Sequence, residues 1–292
     1  MKKILVPVDF SGHTDITCTY ALELAQKSGA EIRLFHTFFD QFIIADSSFP
    51  ESIDMSTMYN EELLKEIMHQ AEKRLETLYD NLQERIRKEK IQNVTISKKL
   101  TGGEIEREVI TICEEYDPDI IVMGTRGEGK NLNVWGKVST YIINHVKVPV
   151  LTIPEIKKYM GYSEIMFSVD FSDGNSMALK KVLEIFKPFK SHIHCVHFLL
   201  KPKQKDEIEK MEQLKKSLSD HPGAADLTFQ MINVTDNIQK SIDHFINDNN
   251  INLIAFQPHK HSLFYGVFTK SITKKNLFAT NIPLLAVPVM LQ

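Results

Sequence analysis

The feature that most constrains this chain is that it is written twice. "VPVDFS" at Val6–Ser11 returns as "FSVDFS" at Phe167–Ser172, each closing an apolar run. Behind each lies a helical pattern: Cys18, Ala21, Leu22 and Ala25 repeat their spacing as Leu179, Val182, Leu183 and Phe186, and each set forms one helix face. Apolar strands follow, "AEIRLFHTF" from Ala30 and "SHIHCVHFL" from Ser191. Farther on, Ile105, Val109, Ile112 and Cys113 recur as Ile238, Ile242, Phe245 and Ile246. Both copies then read polar turn, apolar strand, loop, helix, Pro, apolar strand. Self-similarity over this length means two copies of one domain, because the units of a solenoid are far shorter. The 292 residues hold two domains of ordinary size. We divide them at 1–156 and 157–292, with the linker running through "EIKKYMGYS", Glu155 to Ser163.

Strand and helix alternate through five strands in each copy, which predicts an α/β fold with a parallel sheet covered on both faces. In the first copy the strands fall near residues 3–9, 31–38, 94–99, 119–124 and 149–153. The longest helix falls near 60–90, with a heavily charged exposed side. Between Phe38 and Asn60 lies a long connection without a clear period. Such loops serve as lids or partner surfaces, or are plain surface excursions.

Charge and cysteine content exclude several classes. Lys and Arg total 35 against 38 Asp and Glu, so no basic excess marks a nucleic-acid footprint. No apolar run is long enough for a membrane span or, at the opening "MKKILVPVDFS", for a secretory leader, which makes cytoplasmic the expected location. Cys18, Cys113 and Cys195 are odd in number and widely spaced, against both a disulfide framework and a zinc motif.

An open parallel sheet binds ligands beyond the carboxyl ends of its strands, where strand order reverses. With the order 3-2-1-4-5, that point lies between strands one and four. Asp9 ends the first, and a glycine loop from Gly124 follows the fourth. The carboxylate can accept hydrogen bonds from a ribose or an adenine amine, and glycines let backbone N–H groups approach phosphates. Taken alone, Asp9 reads first as a turn or helix-capping residue before "SGHTD", and it is the coincidence with the glycine loop at one crevice that favours a site. The loop "GTRGEGKN" nearly spells the phosphate loop of ATPases, but Asn131 stands where the magnesium-binding hydroxyl is needed. A nucleotide cradle without the catalytic metal fits these residues better.

These residues resemble the universal stress proteins in their tandem two-domain form. The resemblance covers essentially the whole chain and rests on "KKILVPVDFS", "LFHTF", "DPDIIVMGTRG" and "GKVSTYIINHVKVPVLTIP". It implies two Rossmann-like domains of the adenine nucleotide alpha hydrolase type, each a five-stranded parallel sheet of order 3-2-1-4-5. ATP-binding members carry G-x2-G-x9-G-[ST] after strand four. Here Gly124-x2-Gly127 matches, eight residues then separate Gly127 from Gly136, and Lys137 replaces Ser or Thr. The resemblance implies an adenine and ribose pocket from Pro7, Asp9, Thr37 and Met123. It implies phosphates on Gly124, Arg126, Gly127, Gly136, Lys137, Val138 and Ser139. The ligand the resemblance implies is ATP or another adenine nucleotide.

The second copy departs further. Gln257 and Pro258 displace the first glycine, and Lys270-Ser271 occupies the place of Gly136-Lys137. Pro258 also removes an N–H donor, so this copy reads as degenerate for ATP, with Lys260, Lys270 and Ser271 left for a smaller anion. His259, His261, His192, His194 and His197 look metal-like on paper, but strand alternation puts His197 on the face opposite His192 and His194. No carboxylate or thiolate supports them at matching spacing, so no metal is expected.

Three functional readings follow: a non-enzymatic adenine-nucleotide-binding protein acting in stress, a slow ATP hydrolase or phosphotransfer protein, and a structural module without a ligand. No catalytic residue is nominated, because no nucleophile has a base three or four residues away. The final strands "PVLTIP" and "PLLAVP" are apolar and would lie at sheet edges, which soluble proteins cover. The expectation is that the copies cover each other as a fused pseudo-dimer, and the family's dimers through this strand also imply pairing between two chains.

Overall fold

A computed structural model describes residues 1–38, 61–125, 137–156, 158–200, 205–235, 237–258 and 281–289. The long connection after Phe38 lies outside the described residues.

The first half runs β1 (Lys3–Pro7), α1 (Thr14–Ser28), β2 (Glu31–Thr37), α2 (Glu61–Lys88), β3 (Thr95–Thr101), α3 (Ile105–Tyr116), β4 (Ile120–Gly124), α4 (Lys137–His145) and β5 (Val150–Ile153). The second runs β6 (Glu164–Ser168), α5 (Asn175–Phe186), β7 (His192–Leu199), α6 (Lys205–Ser217), β8 (Leu227–Asn233), α7 (Ile238–Asp248), β9 (Leu253–Phe256) and β10 (Leu284–Ala286). Local chemistry ends these elements where expected. Gly29 closes α1 at φ 68°, its N–H donating to the Ala25 carbonyl, a left-handed stop that glycine adopts without steric cost. Asn237 opens α7 by accepting from the Lys240 N–H.

The strands form one sheet, ordered β3-β2-β1-β4-β5-β10-β9-β6-β7-β8. Neighbours are parallel except at the centre, where β10 runs antiparallel to β5 with Leu285 opposite Leu151 and Ala286 opposite Val150. The Thr152 hydroxyl, fully buried there, donates to the Leu284 carbonyl at 3.0 Å. The central strands β1, β4, β5, β6, β9 and β10 are buried almost throughout, because helices cover both faces. The outermost strands β3 and β8 are partly exposed and more polar, as edges in water must be.

Each face carries one apolar layer that crosses the central pair. One joins Ile4, Val6, Leu151 and Ile153 to Phe167, Val169, Leu285 and Val287. The other joins Leu5, Ile121 and Val150 to Met166, Ile254, Leu284 and Ala286. The connecting segment is packed into the first layer. Tyr162 is buried, donates its hydroxyl to the Tyr20 carbonyl at 3.0 Å, and lies between the Tyr20 and Phe186 rings.

Candidate functional site

The strand order reverses between β1 and β4, which pair in parallel from Ile4 opposite Ile120. Pro7, Thr37, Met123 and Gly124 are the last residues or next to last of β1, β2 and β4, three adjacent strands. Asp9 lies two residues beyond β1. Its Oδ1 accepts the Ser11 N–H at 3.0 Å and the Thr14 hydroxyl at 3.4 Å. The turn-forming reading of Asp9 therefore holds, and it coexists with a place at the crevice.

The sequence extends the first strand to residue 9, whereas the ladder stops at Pro7. The cause is Phe10, whose φ of 58° is left-handed, a costly conformation for a bulky side chain. Its ring packs at 4.4 Å from the buried His36 ring, and the Arg74 guanidinium covers it at 4.5 Å. His36 Nδ1 in turn lies 2.7 Å from the Val8 carbonyl. Burial pushes the His36 imidazole below its ordinary pKa, opposed by that hydrogen bond and assisted by Arg74. Sequence reasoning missed Phe10 and His36. The signal was the repeat itself, since Phe171 (φ 59°) packs at 4.2 Å from His197, whose Nδ1 lies 2.8 Å from the Val169 carbonyl.

Of the residues assigned to phosphates, Arg126, Gly127 and Gly136 lie outside the described residues. Lys137 opens α4 and is exposed, and Val138 follows it half-buried. Ser139 is 1% exposed, and its hydroxyl donates to the Thr125 carbonyl at 3.4 Å, tying the helix to the end of β4.

The corresponding crevice of the second half is filled. Ile165 pairs with Leu253 as Ile4 pairs with Ile120, so Gln257 holds the place of Gly124. Gln257 is 5% exposed, and its Oε1 accepts the Ser172 hydroxyl at 2.8 Å and the Asn175 amide at 3.0 Å. Asn175 also donates to Asp170 Oδ1 at 2.9 Å and accepts the Asp170 N–H at 3.0 Å. A Cβ at Gly174 would stand 2.2 Å from the Gln257 amide nitrogen, so the side chain is wedged against the turn. His259, His261, Lys260, Lys270 and Ser271 lie outside the described residues.

One sequence reading is corrected. His192 and His194 do have a carboxylate beside them, because β6 places Glu164 next to β7. Glu164 Oε2 is 2.9 Å from His194 Nε2 and 3.4 Å from His192 Nδ1. The partner lies on another strand, where spacing along the chain cannot find it. His197 is apart from them, as alternation predicts, with its Nε2 3.6 Å from Glu207.

Comparison with known proteins places this architecture. The universal stress protein family matches residues 1–154. Universal stress protein G of Escherichia coli O157:H7 is 26% identical over 154 residues, which cover 52% of this chain and 98% of that protein. The crystal structure of a universal stress protein from Archaeoglobus fulgidus superposes with a TM-score of 0.65 at 17% identity, covering 98% of this chain and 96% of its own. A functionally unknown protein of Pseudomonas aeruginosa superposes with a TM-score of 0.60 at 10% identity, covering 99% of this chain and 92% of its own. At such identities the likeness speaks for the fold, and it extends over both halves. Among the described residues, no helix is long and apolar enough to cross a membrane.

Proposed function

The chain belongs to the universal stress protein family, and from that premise we propose that it binds one adenine nucleotide per chain, in the first-half crevice. The observation that carries this is the contrast at one position: Gly124 after β4, where Gln257 and its hydrogen-bonded network occupy the second half. Adenine and ribose meet Pro7, Asp9, Thr37 and Met123. Phosphates meet the loop from Gly124 and the N-terminal end of α4, where helix polarity favours anions. The chain acts by binding, in the cytoplasm, and does not turn the nucleotide over. Asn131 supports that reading, since it stands where a phosphate loop needs a hydroxyl for magnesium.

The halves, 1–156 and 157–292, act as a fused pair about the β5–β10 strands. Support comes from the apolar layers that cross those strands and from Leu151 and Leu285, neither of which has any exposed surface.

Mass spectrometry of the denatured, purified protein tests the ligand, with co-purified ATP, ADP or AMP as the expected result. Calorimetry on stripped protein should then give one site, lost in Gly127→Val, which adds a branched side chain where bare backbone is proposed to meet phosphate. Two equivalent sites, or full affinity in that variant, would overturn the reading.

A further inference from the structure

Because the chain is a repeat, each position has a counterpart, and one trio has changed chemistry completely. In the first half it is Lys3, Glu31 and Arg33, at the amino ends of β1 and β2, with Lys3 opposite Glu31. Arg33 reaches Glu31 at 3.3 Å and covers the Tyr116 ring at 3.8 Å, while the Lys3 ammonium donates to the Tyr116 carbonyl at 2.8 Å. Here the carboxylate is paired with a guanidinium, and neither Lys3 nor Arg33 is a residue type that ligates a divalent metal in this trio.

In the second half the same register positions are Glu164, His192 and His194, with Glu164 opposite His192. Both cations are gone, and all three residues are types that ligate metals. Each offers one ligand atom, and the three atoms lie within 4.8 Å of one another. Ligands around a tetrahedral zinc ion stand about 3.4 Å apart, given bonds of about 2.0–2.1 Å. The separations from Glu164 Oε2 to the two imidazoles are 3.4 Å for His192, which equals that value, and 2.9 Å for His194, about half an ångström shorter.

The site is also held in shape. The side chain of His194 is 7% exposed, and its ring meets the Phe245 ring edge-on at 5.6 Å. Its other nitrogen, Nδ1, lies 3.4 Å from the Thr228 hydroxyl, which leaves Nε2 turned to Glu164. A polar group on the remote nitrogen is how metal-bound imidazoles are commonly oriented. His192 and Glu164 are 40% and 32% exposed, so water can complete the coordination from the solvent side.

We propose that Glu164, His192 and His194 bind one divalent transition-metal ion of the zinc class, at the end of the sheet opposite the crevices. Two imidazoles and a carboxylate select zinc, cobalt, nickel or copper over magnesium and calcium, which take oxygen ligands. The site is independent of the nucleotide reading, because it shares no residue with either crevice.

The experiment uses the full chain without an affinity tag, treated with a chelator and dialysed. Zinc is titrated by calorimetry, and cobalt(II) by its visible absorption, whose intensity reports low coordination number and nitrogen ligation. The expected result is one equivalent of zinc, bound at least about ten-fold more weakly in both His192→Gln and Glu164→Gln. Circular dichroism checks that these variants remain folded. His192 and Glu164 are partly exposed, so their replacement perturbs the core little. No zinc binding by the folded wild type, or unchanged affinity in the two variants, overturns the proposal. The second outcome would assign the ion to other histidines or to the cysteines.

Discussion

Asp9 and Asp170 each lie two residues past the first strand of their half, each is followed by Phe-Ser, and both bends pass through a left-handed phenylalanine packed on a histidine. The crevices beside them nevertheless differ in kind. Beyond Asp9, the Ser11 N–H and the Thr14 hydroxyl reach back to the carboxylate, and Gly124 contributes no side chain. Beyond Asp170, Asn175 and Gln257 meet over Ser172 and use up the polar groups of the turn among themselves. The comparison teaches that the crevice at this point of the fold can be filled without altering the fold. In the second half side chains that satisfy one another occupy it, and the buried polar groups stay paired.

The sharpest way to break the comparison is to sever the halves. Leu151→Lys or Leu285→Lys puts an unpaired charge where no surface is exposed, and should cost about 4 kcal/mol or more. Hydrogen exchange should rise in peptides of both halves together. Loosening of one half alone would show that they are independent domains.

The next largest effect comes from making the first crevice like the second. Gly124→Gln should weaken ATP or ADP binding about a hundred-fold, about 2.7 kcal/mol, by putting at the end of β4 the side chain that stands at Gln257 in the second half. Titration calorimetry reads it, and retained affinity would mean that the nucleotide lies elsewhere. Gln257→Gly should not create a second site, because Pro258 still lacks an N–H.

Smaller is the cost of opening the filled crevice. Gln257→Ala leaves the Ser172 hydroxyl short of an acceptor, while the Asn175 amide keeps Asp170 Oδ1 and the Ser172 oxygen, for about 1 kcal/mol in urea denaturation. An unchanged midpoint would mean that water replaces the amide.

Smallest is a pH effect in the first half. The neutral His36 ring is favoured by folding, so its stabilising contribution is complete above the ordinary histidine pKa of about 6.5. It is lost as pH falls from there through the lower folded value. Melting curves from pH 7 to 5 should show a decline that is smaller in His36→Asn.

Much of this was legible in the chain because it depends on local order. Spacings such as Cys18, Ala21, Leu22 and Ala25 mark a buried helix face, and α1 buries all four. Strand runs bounded by Asp, Gly and Pro place Gly124 at the end of β4 and Asp9 just past the end of β1, where α/β sheets bind ligands. The displaced glycine at Gln257 was legible as well, but its partners were not, since Ser172 and Asn175 lie more than eighty residues earlier. The early end of β1 was hidden for a different reason. Nothing in "DFS" announces a left-handed Phe10, which persists because His36 and Arg74 hold its ring from other elements.

The sequence by itself determined the repeat, the alternation of strand and helix, and which glycines and carboxylates fall at strand ends. These follow from periodicity and from the φ preferences of single residues, which act over a turn of helix or a pair of strand positions. Only the tertiary structure decided that Glu164 meets His192 and His194, that Ser139 turns inward to Thr125, and that Leu285 faces Leu151. Each of these depends on strand register and on which element packs beside which. Those choices minimise exposed apolar surface and unpaired backbone over the whole chain, a condition that no short stretch of residues can express.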